Sequence, residues 1–355
     1  MLQLAAPTTT PFRATDIDQA IESHLDAFLK RPDLDLWRRQ QPCPTRRFDA
    51  AIDTALAAAY GDAHGDAAAH RLLQRTLYRI NRLQLFWYDD LRAYQNERSP
   101  YLLSLRNRVE REWQRWELGQ VDVQALRCEP VADGLRRRAA AEVNAPPSEA
   151  GRWFQNDASL PAYRHLVAIA SLDGLVEASQ LSRTLGGVTN DMHATMTRLL
   201  VEEYGGGRPA RKHSEFFRAM LESLGMQTEP EAYRDLVPWE VLAAVNHSFL
   251  LSDRKRHFLR YAGGLLYTEV SVPSAFRPYV RAGERLGLPS IATTYWALHV
   301  KEDTRHGPWM LNDVALPLAK RYPEDAWELL LGYDQQRLLS ARAGSATARA
   351  AAAVA

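Results

Sequence analysis

Between residues 177 and 306 the apolar faces of successive helical segments are interrupted by side chains that a core cannot hold singly. That conflict restricts the fold more than any other feature of the chain. Glu203 follows Met196, Leu199 and Leu200 at seven, four and three residues back, so it continues their inward face, whereas neighbouring Glu202 points about 100° away. Glu269 follows Ala262, Leu265 and Leu266 at the same offsets, and Glu177 lies in an otherwise largely apolar stretch that begins at His165. A carboxylate buried without a partner carries a heavy desolvation cost or takes up a proton. In His299-Val-Lys-Glu-Asp303-Thr-Arg-His306 the offsets of zero, four and seven fall within roughly 60° on a helix, so one face carries imidazole, carboxylate and imidazole, in line with Ala292 and Tyr295. His213 opens the segment after Gly205-Gly206-Gly207, where the chain can reverse and bring it back towards Glu203. Metal is one partner that would reconcile these groups, and exposure at the edge of the apolar face is the alternative for Glu177 taken alone. Two nitrogens and a carboxylate suit iron, manganese or zinc, and seven ligands exceed what one tetrahedral ion takes, so a second, bridged ion is expected.

The rest of the chain supplies helices to carry such a site. Periodicity is helical nearly throughout the 355 residues and strand-like alternation is scarce, which defines an all-α class. Helices are expected from Thr15 to about Lys30, Phe48 to Tyr60, Ala67 to Glu97 and Tyr101 to Leu118, then at about 160–184, 190–205, 211–224, 236–250, 252–270, 275–287, 289–306 and 323–340. Val272-Pro273 and Gly307-Pro308 are read as helix stops. Asn144-Ala-Pro-Pro-Ser148 divides an accessory region, 1–145, from a ligand-bearing domain, 146–340, and the Ala- and Arg-rich stretch 341–355 is expected to be disordered for want of an apolar face. Phe86, Trp87, Tyr88, Tyr94, Tyr101, Trp113 and Trp116 suit core packing first and a subunit interface second.

Composition excludes several functions. Lys+Arg 44 against Asp+Glu 43 leaves a net charge of +1, which does not favour nucleic acid, and Arg136-Arg137-Arg138 reads as a solvated helix surface. With only Cys43 and Cys128, both outside the ligand-bearing part, a disulfide framework, a thiolate zinc site or an iron–sulfur cluster is not expected. No run of about 18 apolar residues and no export signal is evident, so the reading is a cytoplasmic protein without membrane attachment. His70, His165, His193, His247 and His257 lack ligating company and are assigned to packing or surface.

Taken together, Glu177, Glu203-x9-His213, Glu269 and His299-x3-Asp303-x2-His306 resemble the ligand pattern of the haem-oxygenase-like diiron oxidases and oxygenases, over about residues 160–320. The resemblance implies a haem-oxygenase-like helical bundle that holds two iron ions through those seven residues and uses O₂ as cosubstrate. Intervals of 26 residues from Glu177 to Glu203 and 30 from Glu269 to His299 are similar to the N-oxygenating branch, whose N-terminal helical region implies a homodimer. Some members of that branch carry a cupin domain with no counterpart here, so rearrangement to a nitrosamine is not expected, and N-hydroxylation or oxidation to a nitro group is. The leading substrate is a small amine such as 2-aminoimidazole, giving 2-nitroimidazole, with an amino acid behind it.

Glu203, beside the triglycine, is assigned the catalytic role of a carboxylate that shifts between terminal and bridging positions. Since no flavin or nicotinamide motif is visible, the electrons must come from an external donor. Two alternatives stand beside this reading: desaturation, decarboxylation or C–C fragmentation of a fatty acid or amino acid at the same centre, and a non-redox helical binding protein. Tyr295, Trp296, Arg305 and Trp309 are near enough to the ligand helix to line a pocket, with packing as the competing role.

Overall fold

A computed structural model describes residues 14–61, 65–86, 90–187 and 191–355. Sixteen α-helices run through them: α1 Ala14–Leu29, α2 Leu34–Gln40, α3 Pro42–Tyr60, α4 Ala67–Asn81, α5 Pro100–Leu118, α6 Val123–Cys128, α7 Val131–Val143, α8 Glu149–Asn156, α9 Leu160–Gly174, α10 Asp191–Glu203, α11 His213–Ser223, α12 Trp239–Asp253, α13 Phe258–Arg285, α14 Thr294–Trp309, α15 Leu316–Arg321 and α16 Trp327–Ala352. No strand forms among the described residues, as the periodicity requires. Nor is any of these helices long and apolar enough to cross a membrane.

Two compact units divide at Trp113/Gln114. The break expected at 145/146 is only a helix end: α7 stops at Val143, and Ser148 caps α8 by accepting from the Gly151 amide at 3.1 Å. Helix α7 stays with the second unit because Arg138 pairs with Asp334 of α16 at 2.8 Å and Tyr333 donates to the Arg138 carbonyl at 3.0 Å. In the first unit, Phe28 meets Phe48 and Tyr101 edge-on, and Asn96 donates to the carbonyls of Phe28, Leu29 and Arg31, closing the end of α1. Tyr101 and Trp113 are core, whereas Phe86 is 88% exposed; Trp87 and Tyr88 lie outside the described residues. The helix expected to run to Glu97 instead ends at Asn81 and passes into a 3₁₀ turn, Arg82–Gln84.

In the second unit α13 packs most extensively on α16 and α14. Glycine makes the first of these crossings possible: a Cβ on Gly263 would lie 2.0 Å from the Leu329 carbonyl oxygen, and one on Gly332 would lie 1.9 Å from that of Arg260. Neither expected proline stop ends its helix. Helix α13 continues through Pro273 and Pro278, with the Ser274 hydroxyl donating to the Ser271 carbonyl at 2.8 Å, and α14 passes Pro308 into a π-helical turn, Met310–Ala315, before α15. Packing outweighs the missing amides, since Met310, Val314, Ala315 and Leu318 are all fully buried. The tail is also corrected: α16 stays helical to Ala352, with Ala346, Thr347 and Ala351 buried and Arg349 paired to Glu240 at 3.1 Å. Alanine is the best helix former, and its methyl group is enough where a neighbour approaches closely.

Candidate metal centre

Each potential ligand is set in place by a local feature of the chain. Glu177 is not on a helix. Helix α9 stops at Gly174, where any Cβ would meet the Phe217 ring at 2.3 Å, and the following turn holds Ala178 at φ +59°. That left-handed conformation costs roughly 1–2 kcal/mol for a residue with a side chain. Glu203 is the last residue of α10 and His213 the first of α11. Gly205, Gly206 and Gly207 have φ of 62°, 64° and 76°, so the chain reverses as expected and sets Glu203 Oε2 2.7 Å from His213 Nδ1. Glu269 sits one turn before Pro273 in α13, and α14 carries His299, Asp303 and His306 on one buried face.

All seven residues converge. His299 Nε2 lies 3.1 Å from His213 Nδ1 and 3.0 Å from Glu177 Oε1. His306 Nδ1 lies 3.2 Å from Glu269 Oε2, 3.2 Å from Asp303 Oδ1 and 3.8 Å from Glu203 Oε1. Two groups capable of holding an ion result, Glu177–Glu203–His213–His299 and Glu203–Asp303–His306, and Glu203 belongs to both. Glu269 joins the second group through His306. Every one of the seven is buried except Glu177, whose side chain keeps 19% of its surface.

Hydrogen bonding does not satisfy the cluster. Glu177 Oε2, Glu203 Oε2, Asp303 Oδ1 and His306 Nδ1 are buried with no hydrogen-bond partner; the close approach of Glu203 Oε2 to His213 has the distance of a hydrogen bond but not its geometry. Leaving four such atoms unmet costs about 1–3 kcal/mol each. Converging donor atoms, four of them without a hydrogen bond, fit metal ions, and three imidazoles with four carboxylates fit two ions that retain open positions.

Two further residues orient the imidazoles. His299 Nδ1 lies 2.9 Å from the Tyr295 carbonyl, an acceptor, so that nitrogen carries the proton and Nε2 is free to ligate. His306 Nε2 lies 3.1 Å from Glu202 Oε2, which likewise frees Nδ1. Glu202 escaped the sequence reading because it does point away from Glu203. The His306 ring stands between them and meets one carboxylate with each nitrogen. A histidine flanked by Glu-Glu on a facing helix is the only signal that could have found it. Tyr295 also donates its hydroxyl to Glu177 Oε1 at 2.7 Å, and its pKa is driven well up by burial and by Glu177.

Free of metal, the cluster holds protons. Burial acts to lower the His299 pKa, but Glu177, Asp303 and Glu203 raise it to about 10; burial likewise opposes Asp303 and Glu269 at His306, which reaches about 11. Burial, reinforced by Asp303, lifts Glu269 to about 8.

A cavity of about 330 Å³ opens onto the cluster between α9, α12, α13 and α14. Tyr295, Tyr261, Phe276, Gln180, Gln336, Ser248 and Thr268 line it together with Asp173, Glu177, Glu203, Glu269, His299 and Asp303. A second opening of about 490 Å³, on the far side of His213 and His306, is lined by Glu202, Arg208, Arg211 and Arg305. Of the other pocket candidates, Trp296 is core, donating to the Tyr163 hydroxyl at 3.1 Å, and Trp309 is a half-buried ring with the Arg198 guanidinium 3.6 Å from its centroid.

This fold and this convergence of ligands agree with the comparisons with known proteins. Residues 164–339, just under half of the chain, match the family described as iron-containing redox enzymes, and that domain is haem-oxygenase-like. Among particular proteins, it is similar to the nitrosourea synthase of Streptomyces achromogenes subsp. streptozoticus, with 26% identity over 260 residues, 71% of this chain and 54% of that enzyme. The chain thus spans about half the length of this curated relative.

Proposed function

We propose that the protein is an O₂-dependent, non-haem diiron N-oxygenase that oxidises an amine nitrogen of a small metabolite, with 2-aminoimidazole the leading candidate. The observation that carries the reading is the position of Glu203, shared by two groups of ligand atoms that between them use three imidazoles, each with one nitrogen turned inwards. Glu177, His213, His299, Glu269, Asp303 and His306 would hold the two irons together with Glu203, which belongs to both groups of ligand atoms. Bound there, ferrous iron would supply the electrons with which O₂ is activated. Gly205–Gly207 gives Glu203 the freedom to change its mode of binding, while the Tyr295 hydroxyl steadies Glu177. The cavity of about 330 Å³ beside these residues suits a small molecule. Each oxygenation requires two electrons from an external donor.

Partners and setting belong to the same reading: a cytoplasmic homodimer joined through the N-terminal unit, where Phe86 and Leu91 are 88% and 69% exposed. An apolar side of the cavity, formed by Val241, Val245, Leu251 and Leu265, favours carbon oxidation as the second reading. Loading the protein with Fe(II) without air, counting iron per chain, and then adding ¹⁸O₂ with 2-aminoimidazole separates the two. Two irons per chain and ¹⁸O on the product nitrogen support N-oxygenation. Oxidation at carbon alone, across a panel of amines and fatty acids, would overturn it in favour of the alternative.

A further inference from the structure

The second opening leads from the surface to two of the candidate ligands, since His213 and His306 both line it. Its rim is basic. Arg208 and Arg211, on the turn after the triglycine, and Arg305 of α14 line it as well. Lys301 comes three residues after Leu298 and four before Arg305, two other lining residues, so it shares that face of α14. Trp309, half-buried, packs on the ligand side with its ring centroid 5.5 Å from that of His306. On the outer side it carries the guanidinium groups of Arg198 at 3.6 Å and Arg305 at 5.6 Å.

Exposed arginines are ordinary on a surface, but here they gather in a chain whose net charge is only +1. Glu202 and Glu302 are the acidic residues that line the opening, and both are already engaged, Glu202 with Arg198 and Arg305, Glu302 with Arg305. Arg208 and Arg211 have no carboxylate partner among the described residues, and both are exposed. A local excess of one sign steers a partner of the opposite sign and fixes its orientation. Arg198, Arg208, Arg211, Lys301 and Arg305 are all exposed and come from three separate elements, so they do not enclose a small anion. A protein surface can meet them together, and arginine with tryptophan is the composition of such a contact.

We propose that this basic face around Trp309 is the docking surface for an acidic one-electron carrier protein of the ferredoxin kind. The inference rests on the diiron reading and supplies a partner for the external donor that it requires. Electron transfer weakens steeply with distance, so the carrier has to approach where the surface is separated from a ligand by little more than one ring, as Trp309 separates it from His306. On contact the carrier's reduced cluster loses one electron and a ferric ion at the site gains it, returning to the ferrous state. No atom is transferred, and two such encounters supply the two electrons of one oxygenation. The substrate cavity has its own opening, so the carrier can dock while that cavity is occupied.

The test uses the iron-loaded protein without O₂, an acidic plant-type [2Fe–2S] ferredoxin as probe and basic cytochrome c as its counterpart. Binding is read by surface plasmon resonance, and electron transfer by the absorbance of the ferredoxin as it is oxidised in a stopped-flow mixer. Ferredoxin should bind and cytochrome c should not, and the ferredoxin affinity should fall roughly tenfold between about 20 mM and about 200 mM salt. Arg208→Glu with Arg211→Glu should lower both affinity and transfer rate roughly tenfold or more, with iron content and helical signal unchanged. The charge-matched pair Arg136→Glu with Arg137→Glu, on α7, should alter either by less than about twofold. Absence of ferredoxin binding, equal binding of cytochrome c, an unchanged Arg208/Arg211 variant or equal losses in the two double variants overturns the proposal. Iron content is read separately. Two irons with binding that ignores Arg208 and Arg211 refutes only this inference, and fewer than two irons with binding that depends on them refutes only the diiron reading.

Discussion

On the diiron reading, removing the Glu202 carboxylate should weaken binding of one of the two proposed metal ions without unfolding the protein. Its oxygen lies 3.1 Å from His306 Nε2 and fixes the tautomer that turns Nδ1 towards Asp303, Glu269 and Glu203. In Glu202→Ala that nitrogen loses its acceptor, and the imidazole can protonate or turn at Nδ1, so ligation has to work against the change. Loss of an outer partner of this kind typically reduces metal affinity by about 10–100-fold, equivalent to about 1.4–2.7 kcal/mol. Global stability should move far less. Glu202 is partly exposed, its contacts with Arg305 at 3.3 Å and Arg198 at 3.6 Å are surface pairs, and Arg305 keeps Glu302. Exposed pairs are worth under about 1 kcal/mol. Glu202→Gln, whose amide oxygen still accepts, should fall between the two. Competition of the loaded protein against a chelator, with urea denaturation of the metal-free form alongside, reads both quantities. Unchanged affinity in Glu202→Ala, or equal loss from both ions, refutes the reasoning.

Further expectations follow from the same geometry. Metal-free His299, His306 and Glu269, with pKa values of about 10, 11 and 8, all hold protons at pH 7 and must release them to ligate, so loading should expel close to three protons and tighten as pH rises. Above about pH 8 Glu269 no longer contributes and the slope should fall towards two; calorimetry in buffers of different ionisation enthalpy measures this, and release of one proton or none contradicts it. His306→Ala should retain a single iron per chain by elemental analysis, whereas Glu203→Ala should lose oxygenation and at least one iron. Gly332→Ala forces a methyl group against the Arg260 carbonyl; overpacking of about 1–3 kcal/mol, less about 1 kcal/mol of helix propensity, should leave a net loss in thermal denaturation. Phe86→Asp should shift sedimentation from dimer to monomer, and an unchanged dimer would count against Phe86 as part of the interface.

Much of the site was legible because ligands must occupy the inward face of their helices. Glu203 and Glu269 prolong apolar stripes, and His299, Asp303 and His306 share a face, so helical periodicity alone placed five of the seven groups. Gly205–Gly207 announced the reversal that returns His213. Glu177 was legible in its identity but not its backbone, since nothing local shows that α9 must stop where Gly174 meets the Phe217 ring. The prolines misled for a related reason: Pro273 and Pro308 forbid one hydrogen bond each, and only burial of the surrounding residues shows that the helix survives the loss. In the tail, alanines without a bulky apolar face became core once α16 lay against its neighbours.

By itself, then, the chain determined an all-α fold and a set of seven candidate metal-ligating side chains, because both follow from periodicities of a few residues and from the cost of burying charge. Only the tertiary structure decided how those ligands divide. It made Glu203 common to both groups and turned Glu202 towards the outer nitrogen of His306. These relations join residues far apart in the chain, and their distances depend on how closely helices approach one another. Glycines at a few crossings set that approach, and no local pattern encodes it.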